Sequence, residues 1–596
     1  MTTVSFHFHG YQPGDVVRWL EPDPLKPQRF EERRSPVALT IGSERVAGRN
    51  WTDAVLRTYG RMERVLEKAA GAASVDVEPQ TLAWLLERDP DAYHRVVGAW
   101  RRGTAGLAMT PPFHPILPHH HRIEREALFE MMVDFYAPLL RRHGGPIGLW
   151  LPEAAYSAGT LASYLDAARR ATVHHEGLPD LVRGVHLLLD ARQLAAQEES
   201  TTAWGKTGLD GGMRFAARDH GLSGEFAFGA SNPAEFAASV ESRHATSLLV
   251  ASDLESLLAN PAQAQRFGAI VESLRAGGIS VSAPGPPPTP MAADVLDFSS
   301  WSDYDEHLLH GRTSDTRWTG LRRSDGAVVS RVHRGAPMSQ LWKHAFTLVT
   351  ERVENAVRRT ARVLLKGLDV QRRPAVLRRL AVAYGRHLFQ AHYRACGLGS
   401  ADVDFERAAS AILRGRVDIE LAGRIARGYT MMLMGLRSDP RFWDNPDTRV
   451  TFQGVACLAQ ALVDMADACA RASEPERGIL LLKLLRAGLV DFSEAYSRGG
   501  FSAFEGAGGW ETTEEAWLRS LQSEVPQQSG HDVVRRATLY AAGEALRARV
   551  PGGVSPWGEA AVADTGHIVG EVHGDWENKA WCEHGVVGKS RVVGTR

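Results

Sequence analysis

Short apolar runs alternate with longer helical patterns through roughly the first 300 residues, and this alternation limits the possible folds more than any other feature. A strand, a helix and a further strand in succession pack as a βα unit around a parallel sheet. The candidate strands are 4–9, 74–77, 106–110, 147–151, 185–189, 247–251 and 279–282. About seven such units suit a closed barrel better than a small open sheet, so we predict an irregular seven-stranded (β/α) barrel.

The pattern changes after a proline-rich run at 283–290, which can continue neither a helix nor a central strand. From Leu341 onward apolar residues repeat at helical spacing, and Pro374 begins a second stripe of this kind. We therefore predict a barrel over 1–310, a linker over 311–340, a mainly α-helical domain over 341–550 and a tail of uncertain structure over 551–596.

The charge balance excludes some classes of partner. Lys and Arg number 69 against 70 Asp and Glu, so the formal net charge of -1 favours neither nucleic acid nor an anionic membrane surface. No apolar run approaches transmembrane length, and the first residues lack the basic and apolar regions of a signal peptide. We expect a cytoplasmic protein; the sequence does not indicate its oligomeric state.

Polar side chains follow several of the predicted strands, where β/α barrels hold their reacting groups. They are His7, His9 and Gln12 after the first run, His114 after the third, Trp150 and Glu153 at the fourth, and Asp253 and Glu255 after the sixth. Each is commonplace by itself, because a Glu or Asp after a strand is usually solvated. Their coincidence at several strand ends indicates a site, and Trp150 beside Glu153 pairs a flat apolar surface with a carboxylate, as sugar binding requires.

These segments carry a resemblance to a known family. His-Gly-Tyr-Gln-Pro at 9–13, Phe-His-Pro-Ile-Leu-Pro at 113–118 and Gly-Leu-Trp-Leu-Pro-Glu-Ala-Ala-Tyr at 148–156 resemble, in order, the first three motifs of family 57 glycoside hydrolases. Ser-Ser-Trp-Ser at 299–302 is similar to a segment of bacterial members with an appended helical domain. The resemblance covers roughly residues 4–310.

The resemblance implies an enzyme that acts on α-glucans with retention, with Glu153 as nucleophile and Asp253 as general acid/base. Retention requires one ionised and one protonated carboxyl group, about 5–5.5 Å apart. The resemblance also implies that His9, Gln12, His114 and Trp150 contact sugar hydroxyls or the nucleophile, and that Trp301 stacks on a sugar ring. No metal or cofactor is implied. Hydrolysis and glucan transfer stay open, because both pass through the same glycosyl-enzyme.

The fourth motif departs from the family pattern. Asp-Gly-Glu is usual there, whereas Leu254 stands between Asp253 and Glu255 in this chain and no histidine follows. A catalytically silent glucan-binding relative is therefore an alternative. If Asp253 is not the acid, Glu255 or Asp219 is the next carboxylate to test.

A metal-dependent amidohydrolase is a third interpretation. His7 and His9 lie on one face of the first strand, as a binuclear metal barrel requires, and the runs His119–His121 and His174–His175 offer further ligands. Against this class, further His and Asp ligands would be needed at later strand ends, where the most distinctive residue is Glu153, framed by Trp and Pro. Stoichiometric zinc or nickel, with activity lost to a chelator, distinguishes this class.

Overall fold

The architecture is that of a computed structural model. It describes residues 2–11, 24–26, 39–41, 44–46, 59–69, 71–194, 204–207, 213–229, 231–259, 261–285, 291–302, 316–320, 330–333, 336–442, 449–474, 476–478, 480, 481 and 484. Within these ranges no helix is long and apolar enough to cross a membrane. The predicted tail at 551–596 lies outside them.

Seven parallel strands form a closed barrel. They are β1 (Thr3–Gly10), β2 (Ala73–Val77), β3 (Gly106–Met109), β4 (Ile147–Trp150), β5 (Val185–Asp190), β6 (Arg214–Arg218) and β7 (Ser247–Asp253). Each strand pairs with the next, and β7 pairs with both β6 and β1, which closes the ring. The predicted barrel fold is confirmed, as is the mainly helical region that follows it.

One predicted strand is wrong. The run at 279–282 contributes only the short strand Ser280–Val281. It pairs with Thr3 and Val4 at the start of β1 and is not one of the seven barrel strands. The barrel strand that the prediction missed is β6, whose Phe215, Ala216 and Ala217 are buried. Its sequence did not suggest a strand, because alanine has low β-propensity and arginines occupy both ends.

Helices and short irregular strands surround the barrel. The helices are Met62–Lys68, Pro79–Arg88, Pro90–Arg102, Arg122–Leu140, Ala158–His174, His220–Phe228, Pro233–Glu241, Leu254–Ala259 and Pro261–Ala276. Trp204–Thr207 and Met291–Ala293 extend the sheet beside β6, while Leu39–Ile41 with Glu44–Val46 and Ser330–His333 with Ala336–Ser339 form two hairpins. The amphipathic stripe of Arg122–Leu140 is buried, as its periodicity predicts.

The helical region comprises Thr316–Thr319, Leu341–Leu364, Arg373–Leu388, Gln390–Ala395, Phe405–Leu413, Ile419–Gly435, Asp439–Phe442 and Arg449–Arg471. Pro374 occupies the first turn of its helix, where its missing N–H group is not needed. Gly397 follows Gln390–Ala395 with a φ of 94°, a conformation that glycine adopts without strain. The domain limits at 310, 340 and 550 stay predictions.

The helical region docks against the barrel helix Arg122–Leu140 through charged and aromatic contacts. Arg358 lies 3.1 Å from Glu124, and Arg378 lies 3.1 Å from Glu126. Phe135 stacks on His392 with ring centroids 3.8 Å apart. Both partners of these contacts are largely buried, and the turn after Ile419–Gly435 meets the loop after β3 through a β-bridge between Arg437 and Pro115.

Candidate active site

Glu153 lies in a strained turn directly after β4. Its φ is 58° and that of Ala154 is 47°, both in the left-handed region that side-chain-bearing residues rarely adopt. The backbone N–H of Trp301 donates to the Glu153 carbonyl at 3.2 Å, and Gln193 Nε2 donates to the Ala154 carbonyl at 2.9 Å. Such strain persists where its surroundings enforce it, and it is concentrated at active sites.

The Glu153 carboxylate has two side-chain donors on one oxygen. Trp301 Nε1 and Ser302 Oγ each donate to Oε2 at 2.9 Å. Burial raises the pKa of Glu153, these two hydrogen bonds oppose the rise, and the charge of Asp253 adds to it. No donor from the described residues reaches Oε1, so this oxygen is the one available to a sugar.

Asp253 is the last residue of β7 and is exposed, although its neighbours Ser252 and Leu254 are buried. Although this side chain is accessible to solvent, the protein atoms packed around it desolvate the carboxyl and raise the pKa of Asp253; the positive charges of His9 and Arg218 lower that pKa, and Asp76 raises it further. No hydrogen bond from the described part of the chain reaches this carboxyl group.

The two carboxylates belong to opposite sides of the barrel. From β4 to β7 the ring passes through β5 and β6 in one direction and through β3, β2 and β1 in the other. Both side chains lie at the carboxyl ends of their strands, and the charge of Asp253 raises the pKa of Glu153, so the two carboxylates lie within electrostatic reach of each other.

The altered fourth motif has a structural explanation. Leu254 is buried and begins the helix Leu254–Ala259 directly after the strand. This turn brings the Glu255 carboxylate to two donors, the Tyr59 hydroxyl and the Tyr11 backbone N–H, and burial raises the pKa of Glu255 to about 7. Asp219 accepts from Leu222 N at 2.8 Å and pairs with Arg243. Glu255 and Asp219, the two alternatives to Asp253 as the acid, thus both have structural partners.

His9 and His114 have protein partners at every ring nitrogen. His9 Nδ1 lies 2.8 Å from Asp76 Oδ2, and His9 Nε2 lies 2.8 Å from His114 Nε2. His114 Nδ1 lies 2.6 Å from Ser438 Oγ. Sequence reasoning missed Asp76 and Ser438. Asp76 follows the alternation of β2 and was detectable, whereas nothing near Ser438 indicated a site.

The predicted aromatic contacts cluster beside Glu153. Trp150 is 1% exposed and meets Trp301 edge to face, with ring centroids 4.7 Å apart. The Arg218 guanidinium lies 4.4 Å from the Trp301 ring. Trp301 is a hydrogen-bond donor to Glu153, and its stacking on sugar stays a prediction, as do sugar contacts of His9, His114 and Trp150. Gln12 lies outside the described residues.

The histidines do not form the arrangement that the metal interpretation needs. His7 Nε2 lies 3.0 Å from Asp76 Oδ1, and His7 Nδ1 lies 2.9 Å from Ser74 Oγ. His120 lies beside Glu354 and His175 beside Asp134, away from His7. Across the described ranges, no three His, Cys, Asp or Glu side chains are placed to hold a metal ion.

Trp301→Phe tests the contact to Glu153. Loss of the indole donor destabilises the ionised carboxylate, so we expect the acid limb of the pH–rate profile to move to higher pH. A hydrogen bond to a charged group is worth about 1.5–3 kcal/mol, which predicts a roughly tenfold or greater fall in kcat/KM on the acid side. Trp100→Phe, which removes a 3.1 Å hydrogen bond to the Val75 carbonyl, is the matched control. An unshifted acid limb in Trp301→Phe would contradict the prediction.

The closed barrel with its docked helical region, together with the matches to maltose-forming amylase-like proteins, defines the class, a glycoside hydrolase of family 57. Two sequence profiles divide the chain between them, the N-terminal domain of maltose-forming alpha-amylase-like proteins over residues 1–313 and the C-terminal domain over 317–566. The chain belongs to the maltose-forming alpha-amylase-like family.

Two solved structures are similar to this chain. An exo-type maltose-forming amylase from Pyrococcus sp. ST04 is 32% identical over 91% of this chain and 92% of its own, with a TM-score of 0.73. A 4-alpha-glucanotransferase from Thermococcus litoralis is 12% identical over 79% of this chain and 60% of its own, with a TM-score of 0.42. Comparison with curated protein sequences gave no match.

Proposed function

We propose that this enzyme is a retaining, exo-acting hydrolase that removes maltose from α-glucans, with Glu153 as nucleophile and Asp253 as general acid/base. The substrate class and the exo mode are supported by the similar amylase from Pyrococcus sp. ST04 and by the maltose-forming family description. The predicted cytoplasmic location is kept in this proposal, and the balanced charge of the chain supports the expectation that neither nucleic acid nor a membrane surface is a partner.

One observation carries the assignment of roles, namely the unequal surroundings of the two carboxylates. Glu153 receives two hydrogen bonds that favour its ionised form, as a nucleophile needs. Burial raises the pKa of both carboxyls, but no hydrogen-bond donor among the described residues stabilises the ionised form of Asp253. This difference in hydrogen bonding supports Glu153 as the nucleophile and Asp253 as the acid.

The reaction proposed for these groups has two displacements. Glu153 Oε1 attacks the anomeric carbon while the Asp253 proton goes to the departing glycosidic oxygen, which gives a β-linked glycosyl-enzyme and a shortened glucan. Asp253, now ionised, takes a proton from water as the water oxygen attacks the same carbon. The bond to Glu153 breaks, and the product regains the α configuration.

The test is product analysis on maltoheptaose labelled at its reducing end. We expect labelled chains that shorten by two glucose units at a time, with α-maltose appearing first by proton NMR. Initial β-maltose would overturn the retaining mechanism, and labelled products longer than the substrate would identify a transferase. Binding without turnover would favour the silent relative, the second function that the altered fourth motif leaves open.

A further inference from the structure

A chain of hydrogen bonds links the helical region to the interior of the barrel. Ser438 lies between the helices Ile419–Gly435 and Asp439–Phe442, and its Oγ is 2.6 Å from His114 Nδ1. From His114 the chain continues through His9 to Asp76, with 2.8 Å at each step. All four side chains are buried, so bulk water does not replace these contacts.

The backbone holds both ends of this chain in place. The Ser438 backbone N–H donates to the His114 carbonyl at 2.8 Å, and Arg437 forms a β-bridge with Pro115. Phe113 and His114 have φ values of 71° and 50°, and Glu78 accepts from Phe113 N at 2.7 Å. The strained loop therefore presents the His114 ring in one orientation.

The facing imidazole nitrogens allow two arrangements of protons. Between His9 Nε2 and His114 Nε2 one nitrogen must donate and the other accept. If His9 donates, it also donates through Nδ1 to Asp76 and is an imidazolium, while His114 donates its Nδ1–H to Ser438 Oγ. If His114 donates through Nε2, His9 is neutral and the Ser438 hydroxyl donates to His114 Nδ1.

The surrounding charges favour the first arrangement. Burial lowers the pKa of His9, but the charge and hydrogen bond of Asp76, with the charges of Asp253 and Glu255, raise it to about 9. Burial, together with the positive charges of His9 and Arg437, lowers the pKa of His114 well below its usual value. His9 is accordingly charged, and His114 is neutral with its proton on Nδ1.

The charged His9 lies beside the proposed acid/base. His9 and Asp253 are paired residues in the β1–β7 register, and the other charged groups that interact with Asp253 are Arg218, Asp76, Glu153 and Glu255. We propose that Ser438 is a positioning residue: by accepting a hydrogen bond from His114 Nδ1–H, its hydroxyl keeps His9 in its charged form beside Asp253. This inference rests on the proposed role of Asp253 and makes the helical region part of the catalytic machinery.

Ser438→Ala tests this proposal through the pH dependence of kcat. Without the hydroxyl, His114 shifts its proton to Nε2 and donates to His9, which loses a proton to solvent. Removal of that positive charge strengthens the hold of Asp253 on its proton, so we expect the alkaline limb to move to higher pH. A weaker acid also transfers its proton less readily, and plateau kcat should fall roughly threefold to tenfold with KM little changed.

Two controls separate this effect from loss of packing. Ser438→Thr keeps the hydroxyl and should restore the wild-type alkaline limb. Thr350→Val removes another buried hydroxyl of the helical region, which donates to the Phe346 carbonyl at 2.7 Å, and should leave the limb in place. An alkaline limb of Ser438→Ala at the wild-type pH, or a shift of equal size in Thr350→Val, would overturn the proposal.

A measurement on the wild-type protein keeps the proposal testable if Ser438→Ala does not fold. With ¹⁵N-labelled histidine we expect a ring with both nitrogens protonated at pH 7.5, assigned by its absence from His9→Asn. Neutral signals only would overturn the inference even if glucans are cleaved as proposed. Conversely, a charged His9 in an enzyme without glucan turnover would leave the charge assignment standing and contradict the proposed function.

Discussion

Glu153→Gln is expected to abolish glucan turnover and leave the protein folded. The amide keeps the shape of the side chain and can still accept from Trp301 or Ser302, but it cannot attack the anomeric carbon. Loss of a catalytic nucleophile predicts a fall in kcat of roughly 10⁴-fold or more. The measurements are initial rates on maltoheptaose, with circular dichroism and thermal unfolding to show that the fold is kept.

Glu235→Gln is the matched control, because it makes the same chemical substitution at an exposed position of the helix Pro233–Glu241. Among the described residues, the Glu235 carboxylate accepts from Asn232 N, at the cap of its own helix. It should retain wild-type rates. A sharper variant is Glu153→Ala with azide, where attack on the opposite face of the sugar produces β-maltosyl azide from an activated α-maltoside. Wild-type turnover by Glu153→Gln would remove this residue from the mechanism.

Asp253→Ala should lose activity in proportion to the need of the leaving group for a proton. On natural glucans we expect kcat/KM to fall roughly 10²–10⁴-fold, the usual contribution of a general acid. Nitrophenyl α-maltoside, whose leaving group departs as an anion, should form the glycosyl-enzyme at nearly the wild-type rate. Azide should then accelerate the second step and give α-maltosyl azide, because azide attacks without a base.

Glu255→Gln and Asp219→Asn are the comparison variants, since both carboxylates were alternatives to Asp253. Their partners are Tyr59 and the helix cap at Leu222, so their rates should fall equally for good and poor leaving groups. If either variant shows the strong dependence on leaving group and Asp253→Ala does not, the acid has been assigned to the wrong residue.

The barrel was predictable because its signal is local. Apolar runs of four to eight residues indicate buried strands without any knowledge of which strands they pair with, and six of the seven barrel strands were predicted in this way. The seventh strand, β6, consists of one phenylalanine and two alanines between two arginines. Its position in the barrel depends on pairing with β5 and β7, which lie elsewhere in the chain. A property of that kind is not present in the segment itself.

The site likewise contains residues that the sequence could predict and contacts that it could not. Glu153 and Asp253 were recognisable because motifs at strand ends keep a fixed distance from their strand. The hydrogen bonds of Trp301 and Ser302 to Glu153 connect residues about 150 positions apart. Ser438 reaches His114 because the helical region docks against the barrel, and the ion pairs of Arg358 and Arg378 are among the docking contacts. Contacts made by docking have no spacing that a sequence pattern can show.

The position of Ser438 in the chain also bears on biosynthesis. It follows Asp253 by 438 minus 253, or 185, residues. At a translation rate of about 5–20 residues per second, this interval corresponds to about 10–40 s between emergence of Asp253 and of the Ser438 hydroxyl. A nascent barrel spends this interval on the ribosome without the Ser438 contact to His114. If Ser438 has the proposed role, we expect full activity to be acquired late in synthesis, when the helices after Gly435 leave the exit tunnel and dock.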